Sequence, residues 1–431
     1  MSRMEPAKGL DEIELADSER EVLESLQKQF NKPFRFQEWP EIEGFFERLP
    51  ISIRDHALPA YAENGHVKKL EFYKCDLNAF PEEICALREL SVLSLCGNNL
   101  AELPESVGNL TQLRMFSLAE NNFTRVPEAF RKFAHLTHFS MAKNHLNTFP
   151  DFLLQNTELT GLNLAINNIP SIPGEIGVLK QLRNLLLSAN PLGSVPPALF
   201  TLRNLMDLEL EQTGIESVPD SLCDLGDLQY LNLNGNHLRQ IPQDIGRLAK
   251  LQNLRLADNR LQSVPDSMGS LPKLSLLDLR NNQITAFPKS FKDFTRPSMA
   301  LHGNPFPNIP ENLPLGRKID IVTNDFQREY MSMRADVYKK SGGELRIVFR
   351  DHNKEVFRIE IESILDANLN VFQSIVREIA KVADTRVAET PSFASTPEFR
   401  QDCSQVLDQY TNIAKKNKLV MNIRDPPVLR R

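Results

Sequence analysis

Residues 90–112 read LSVLSLCGNNLAELPESVGNLTQ, and residues 113–135 read LRMFSLAENNFTRVPEAFRKFAH. Laid one above the other, Leu90, Leu93, Leu95, Asn98, Leu100, Leu103, Pro104, Val107 and Leu110 fall on Leu113, Phe116, Leu118, Asn121, Phe123, Val126, Pro127, Phe130 and Phe133. The same register returns from Leu136, Leu159, Leu182, Leu205, Leu228, Leu251 and Leu274, always 23 residues on. An earlier copy starts at Val67, and a worn one carries Leu301, Asn304, Phe306, Ile309 and Pro310. A fixed period of this kind marks a repeat architecture. One copy cannot bury its leucines alone, so stacked neighbours must supply the core.

Each column of the pattern has a physical reading. The Leu-x-Leu step alternates as a short strand does, with one residue inward and the next outward. The asparagine column holds Asn98, Asn121, Asn144, Asn167, Asn190, Asn236, Asn259, Asn282 and Asn304, with Cys75 and Thr213 standing in at two places. A buried amide has two donor hydrogens and an acceptor oxygen, enough to satisfy backbone groups in the turn after each strand. The proline column runs from Pro81 to Pro288 at the same interval. Proline fixes φ and donates no hydrogen bond, so it suits an extended outer segment and not a central strand.

The pattern L-x-x-L-x-L-x-x-N-x-L-x-x-L-P resembles the leucine-rich repeat family in its 23-residue form. Residues 67–311 carry it in ten clear copies and a degenerate one. The resemblance implies an α/β solenoid with a curved parallel sheet on its concave face. It also implies a role as a protein-protein interaction module or signalling scaffold, of the kind found in small-GTPase and kinase pathways or among bacterial effectors.

Solenoid ends need caps. Residues 1–66 are expected to form a helical N-terminal cap. Ser18-Glu19-Arg20-Glu21 has the form of a capping box, and Val22, Leu26 and Phe30 follow at helical spacing. Trp39 precedes a second apolar face at Ile42, Phe45, Phe46 and Leu49, readable as the core of the cap or as a small docking module. Residues 312–431 differ in texture. Leu345, Ile347 and Phe349 alternate, Asp351-His352-Asn353-Lys354 reads as a turn, and Phe357, Ile359 and Ile361 alternate again, the signal of a hairpin. Helical spacing follows from Leu365 to Val382 and again after Thr396-Pro397. A small C-terminal α+β unit is expected, either a cap with its own binding role or a separate domain.

With 431 residues and a net charge of −6, the chain has no basic footprint for nucleic acid. No apolar run reaches membrane-spanning length, and the first residues lack the apolar core of a secretory signal. Cys75, Cys85, Cys96, Cys223 and Cys403 are scattered and odd in number, which fits free thiols and a cytoplasmic protein. No phosphate loop, H-E-x-x-H or G-x-S-x-G motif is present. No cofactor is implied. His135, His138 and His145 invite a metal, but the repeat register sends them in different directions.

An alternative function comes from architecture. Some bacterial effectors join similar repeats to a ubiquitin-ligase domain with a catalytic cysteine and recruit substrate on the repeats; a protein of that kind would be delivered to a host cell. Cys403 is the only cysteine of the C-terminal region. It departs from that pattern: it lies on an apolar helical stripe, lacks a Cys-x-Asp motif, and sits in a much shorter region than those ligase domains. The expectation is therefore a binding protein and not an enzyme.

The partner is expected on the concave face. The residue between the last two leucines of each repeat faces that surface: Glu71, Ser94, Ser117, Ser140, Asn163, Leu186, Glu209, Asn232, Arg255 and Asp278. Neighbouring positions add Met115, His138, Ile166, Met206, Glu211, Tyr230 and Arg280. Tyrosine and arginine anchor interfaces and methionine adapts to them. The expected hydrophobic centre runs through Ile166, Leu186, Met206 and Tyr230, with Glu209, Glu211, Arg255 and Asp278 as a selective rim.

Overall fold

In the computed structural model, residues 8–36, 57–294, 297–301, 303–305, 319–320, 333–339, 345–351, 354–362 and 420–424 are described. Each described repeat places a short strand on the Leu-x-Leu step and, except at its far end, a 3-10 turn after the proline. The chain forms two compact units, Met1–Ile215 and Glu216–Arg431.

The first unit begins with α1, Asp17–Phe30. Strands β1 (Phe34–Phe36), β2 (Leu58–Glu63) and β3 (His66–Glu71) follow. The repeats then contribute β4 (Val92–Ser94), β5 (Met115–Ser117), β6 (His138–Ser140), β7 (Gly161–Asn163), β8 (Asn184–Leu186) and β9 (Asp207–Glu209). From β3 to β9 each strand pairs in parallel with the next, in a constant register that joins Leu93 to Phe116 and Leu162 to Leu185. The middle residue of each strand from β4 to β9 is fully buried, as is Leu70 of β3. Full burial of a leucine contributes about 2 kcal/mol, so the stacked columns form the core. Phenylalanines take leucine positions around β5 and β6, where the Phe116 and Phe130 rings lie 5.4 Å apart and Phe139 and Phe152 the same.

The asparagine column forms a ladder. The Asn144 amide donates to the carbonyls of Met141 in its own repeat and Leu118 in the one before, at 3.1 and 2.9 Å. Its Oδ1 accepts the N–H of Phe123 at 3.0 Å. Asn121 and Asn167 repeat the arrangement. The residue before each of these asparagines has left-handed backbone: Glu120, Lys143 and Ile166 have φ of 57°, 53° and 58°. Short outer helices such as Glu105–Asn109 and Asp151–Gln155 start directly after their prolines.

Two features of the N-terminal end differ from the sequence expectation. The helix starts two residues earlier than Ser18 would cap it, and Ala16 at its N-cap makes no side-chain hydrogen bond. Glu19 is turned inward instead: its carboxylate accepts the N–H of Val67 at 2.7 Å and meets His66 Nδ1 at 3.0 Å. Closing a buried backbone donor outweighs an exposed capping box. The helix is also joined by strands. β2 and β3 form an antiparallel hairpin around Asn64 and Gly65, with φ of 51° and 78°. Asn-Gly is the preferred pair for such a turn, because both residues tolerate positive φ. The expected second helix and Trp39 lie outside the described residues.

The second unit continues the repeats with β10 (Tyr230–Asn232), β11 (Asn253–Arg255), β12 (Leu276–Asp278), β13 (Ser298–Ala300) and β14 (Ile319–Asp320), again parallel and in order. Its ladder includes Asn259 and Asn282. Beyond it, β15 (Met333–Lys339), β16 (Leu345–Asp351), β17 (Lys354–Glu362) and β18 (Val420–Arg424) form an antiparallel sheet in that order. The hairpin signal is realised: Leu345 pairs with Ile361, Ile347 with Ile359 and Phe349 with Phe357. The flanking strands β15 and β18 were not anticipated, and the two helical stretches expected from Leu365 and from Pro397 lie outside the described residues.

Candidate functional site: the outer face of the repeat sheet

With the middle residue of each strand buried, the first and last residues turn to the opposite face. In the first unit the first positions are Val92, Met115, His138, Gly161, Asn184 and Asp207, and the last are Ser94, Ser117, Ser140, Asn163, Leu186 and Glu209. Tyr230, Arg255 and Asp278 occupy equivalent strand positions in the second unit. Met206 lies just before β9, Glu211 two residues after it, and Ile166 in the left-handed turn after β7. The expected residues thus fall into distinct columns and turns.

In the first unit, His138 lies flat across Gly161. A Cβ on Gly161 would stand 2.5 Å from His138 Cδ2. The ring nitrogens face the hydroxyls of Thr137 and Thr160 at 3.2 and 3.3 Å. Burial holds the imidazole pKa below its ordinary value, which favours the neutral ring. Ser117 and Ser140 are buried and small, so this part of the face is nearly flat. Leu186 is half-buried and stands in register between Asn163 and Glu209. Ile166 is 48% exposed. A β-branched residue in left-handed backbone is uncommon and costly, since its branched Cβ crowds the neighbouring carbonyl.

Asp207 is the residue that sequence reasoning passed over. Counting on from His138 by the repeat period leads through Gly161 and Asn184 to Asp207, so the signal was present. Burial, reinforced by the negative charge of Glu209, pushes its carboxyl up to about 7 against the opposing hydrogen bond of Asn184. Its Oδ1 is shielded from solvent and has no hydrogen-bond partner.

In the second unit the Arg255 guanidinium stacks over the Tyr230 ring, 5.4 Å from its centre. Arg280 forks onto both oxygens of Asp278 at 2.7 and 2.6 Å. Asp278 also accepts the N–H of Arg280, as Asn232 accepts that of Asn234 and Asn163 that of Ala165. These three side chains therefore have a structural task in closing the turn after their strands. Leu186, at the same strand position, has no polar atom to offer and takes no part in closing its turn.

The lysines at the N-terminal end are engaged locally. Lys68 pairs with Glu89 at 2.9 Å, and Lys69 and Lys74 lie over Tyr61 and Tyr73. Among the described residues, no three His, Cys, Asp or Glu side chains gather to hold a metal ion. Cys85 and Cys223 are buried thiols whose pKa burial pushes up, Cys223 to about 11, which makes them poor nucleophiles. No helix among the described residues is long and apolar enough to cross a membrane.

Family models for a leucine rich repeat match residues 88–146 and 180–238, and one for a leucine-rich repeat region matches residues 216–296. A leucine-rich repeat protein of Leptospira interrogans is 32% identical, with 56% of this chain and 67% of that one aligned at a TM-score of 0.51. This chain belongs to the leucine-rich repeat family. The leucine-rich repeats also share their fold with a TDR receptor, at 22% identity over 59% of this chain and 51% of that one, TM-score 0.50. The repeat domain of the type III effector XopL aligns with 47% of this chain and 73% of that domain at 26% identity. Its TM-score of 0.42 is too low to bear on the effector reading. No curated protein matches the sequence.

Proposed function

We propose that this leucine-rich repeat protein is a binding module or scaffold, without catalytic activity of its own, that takes a partner protein on the concave sheet face of its repeats. The observation that carries the reading is the pair Leu186 and Ile166. Both are apolar, neither completes the buried core, and Ile166 holds an unfavourable backbone conformation while 48% exposed. Strain and exposed apolar surface together are the signature of a surface kept for contact and not for stability. The family supports the same reading, since solenoids present long faces for binding.

Affinity capture from cell extract with wild type and with Leu186→Glu tests this, provided both melt at the same temperature. Loss of the main captured protein in the variant is the expected result. Undiminished capture overturns the concave-face reading and moves attention to residues 312–431. The ligase-like alternative turns on Cys403, which lies outside the described residues, and no observation favours it. Ubiquitin transfer abolished by Cys403→Ser would establish it against the present reading.

A further inference from the structure

We infer that the outer face of β10–β12 takes an extended protein segment that presents a carboxylate to Arg255 and, two residues away, an apolar side chain to Leu276. The inference rests on the concave-face reading and adds the chemistry of an occupant for the second unit.

Arg255 stands in register with Asp278, the neighbour placed to neutralise it. Asp278 instead gives both carboxylate oxygens to Arg280 and accepts its backbone N–H as well. Among the described residues, no carboxylate or carbonyl takes the N–H groups of Arg255, whose guanidinium lies on the Tyr230 ring. The ring holds the guanidinium by cation–π attraction, and a planar fork already held loses little further freedom on meeting a carboxylate. Arg255 is half-buried, where a charge-assisted hydrogen bond is stronger than in open water. Tyrosine and arginine are also the residues that most often carry the energy of a protein interface.

Leu276 supplies the second contact. It is an outward, half-buried apolar residue, and its register partner Asn253 lies two residues before Arg255. Side chains two apart on a strand repeat about every 6.6 Å, and an extended partner has the same spacing. The charge pattern selects the class of partner. Among the described outward strand positions of β10–β13, only Arg255 and Asp278 are charged, and Asp278 is already matched. One open cation suits one carboxylate. A nucleic-acid backbone needs several cations, and a basic segment would meet Arg255 with like charge.

The test uses the full chain and three fluorescent eleven-residue peptides, read by anisotropy. Each has a central leucine, with glutamate, glutamine or lysine two residues to either side so that both strand directions are served. Wild type should bind the glutamate probe at least about 10-fold more tightly than the glutamine probe, and the lysine probe least. Arg255→Gln, checked to melt with wild type, should lose that preference. Arg260→Gln, the same change of charge at an exposed position outside the strands, should keep it. No discrimination by wild type, a glutamate preference that survives Arg255→Gln, or an equal loss in both variants overturns the inference. The capture experiment with Leu186→Glu separates the two readings. If capture is lost there while the peptides show no preference, the acidic occupant falls and the concave-face reading stands. If capture is undiminished and the peptides show no preference, both fall.

Discussion

His138 occupies the space that a side chain at residue 161 would fill, its Cδ2 only 2.5 Å from where a Cβ on Gly161 would stand. The two residues are partners across β6 and β7, so the glycine of one repeat decides the posture of the imidazole of the previous one. The histidine is thereby laid onto the sheet and partly shielded from water.

Gly161→Ala should lift the ring off the sheet. The displaced ring regains water, so its pKa should rise toward the ordinary imidazole value, reversing the cause of its depression. An NMR titration of the His138 ring protons reads this. The fold should lose no more than about 1 kcal/mol, because a flexible side chain and not backbone must move.

Asn144→Ala removes one rung of the ladder. It orphans the Phe123 N–H and withdraws donors from Leu118 and Met141, all buried. The expected loss in urea unfolding is about 3 kcal/mol. The neighbouring Asn122→Ala is exposed and should stay within about 0.5 kcal/mol of wild type.

Asp207 should make stability fall as pH rises. Its carboxyl is held at about 7 in the folded chain against an ordinary 3.8, so between these values the native state keeps a proton that the unfolded chain has released. Stability associated with this group is therefore greatest at the acid end of the window and declines until about pH 7. Asp207→Asn should leave stability unchanged near pH 4 and raise it on the order of 2 kcal/mol at pH 8, as read from denaturation midpoints at both pH values.

Glu19→Ala should loosen the N-terminal end. It leaves the buried Val67 N–H without its acceptor, at a cost of about 2 kcal/mol. Hydrogen exchange should quicken at Val67 first. A protected Val67 amide in the variant would show that another acceptor, not Glu19, closes that position.

Much of the fold was legible because contacts in a repeat stack are local. Whatever lies 23 residues away in the sequence lies on the next strand, so the columns of leucine, asparagine and proline translate directly into core, ladder and outer turn. The N-terminal hairpin was legible too, in Asn64-Gly65, but helical spacing nearby drew the reading toward helices alone. The candidate site was legible only in part. Leu186, Glu209, Arg255 and Asp278 stand at strand ends as the pattern implied, whereas Asn184 and Asp207 were passed over although they share the column of His138.

The amino-acid sequence by itself determined the period, the family and the direction in which each strand residue faces, since these depend on backbone geometry and on the alternation of apolar and polar positions. Only the tertiary structure decided what the facing residues are like. The acidity of Asp207 follows from its burial and from Glu209, the posture of His138 follows from an absent side chain one repeat away, and Asp278 is committed to Arg280. Charge, shielding and posture are set by neighbours in space, through distances and local dielectric, and those quantities exist only once the chain has folded.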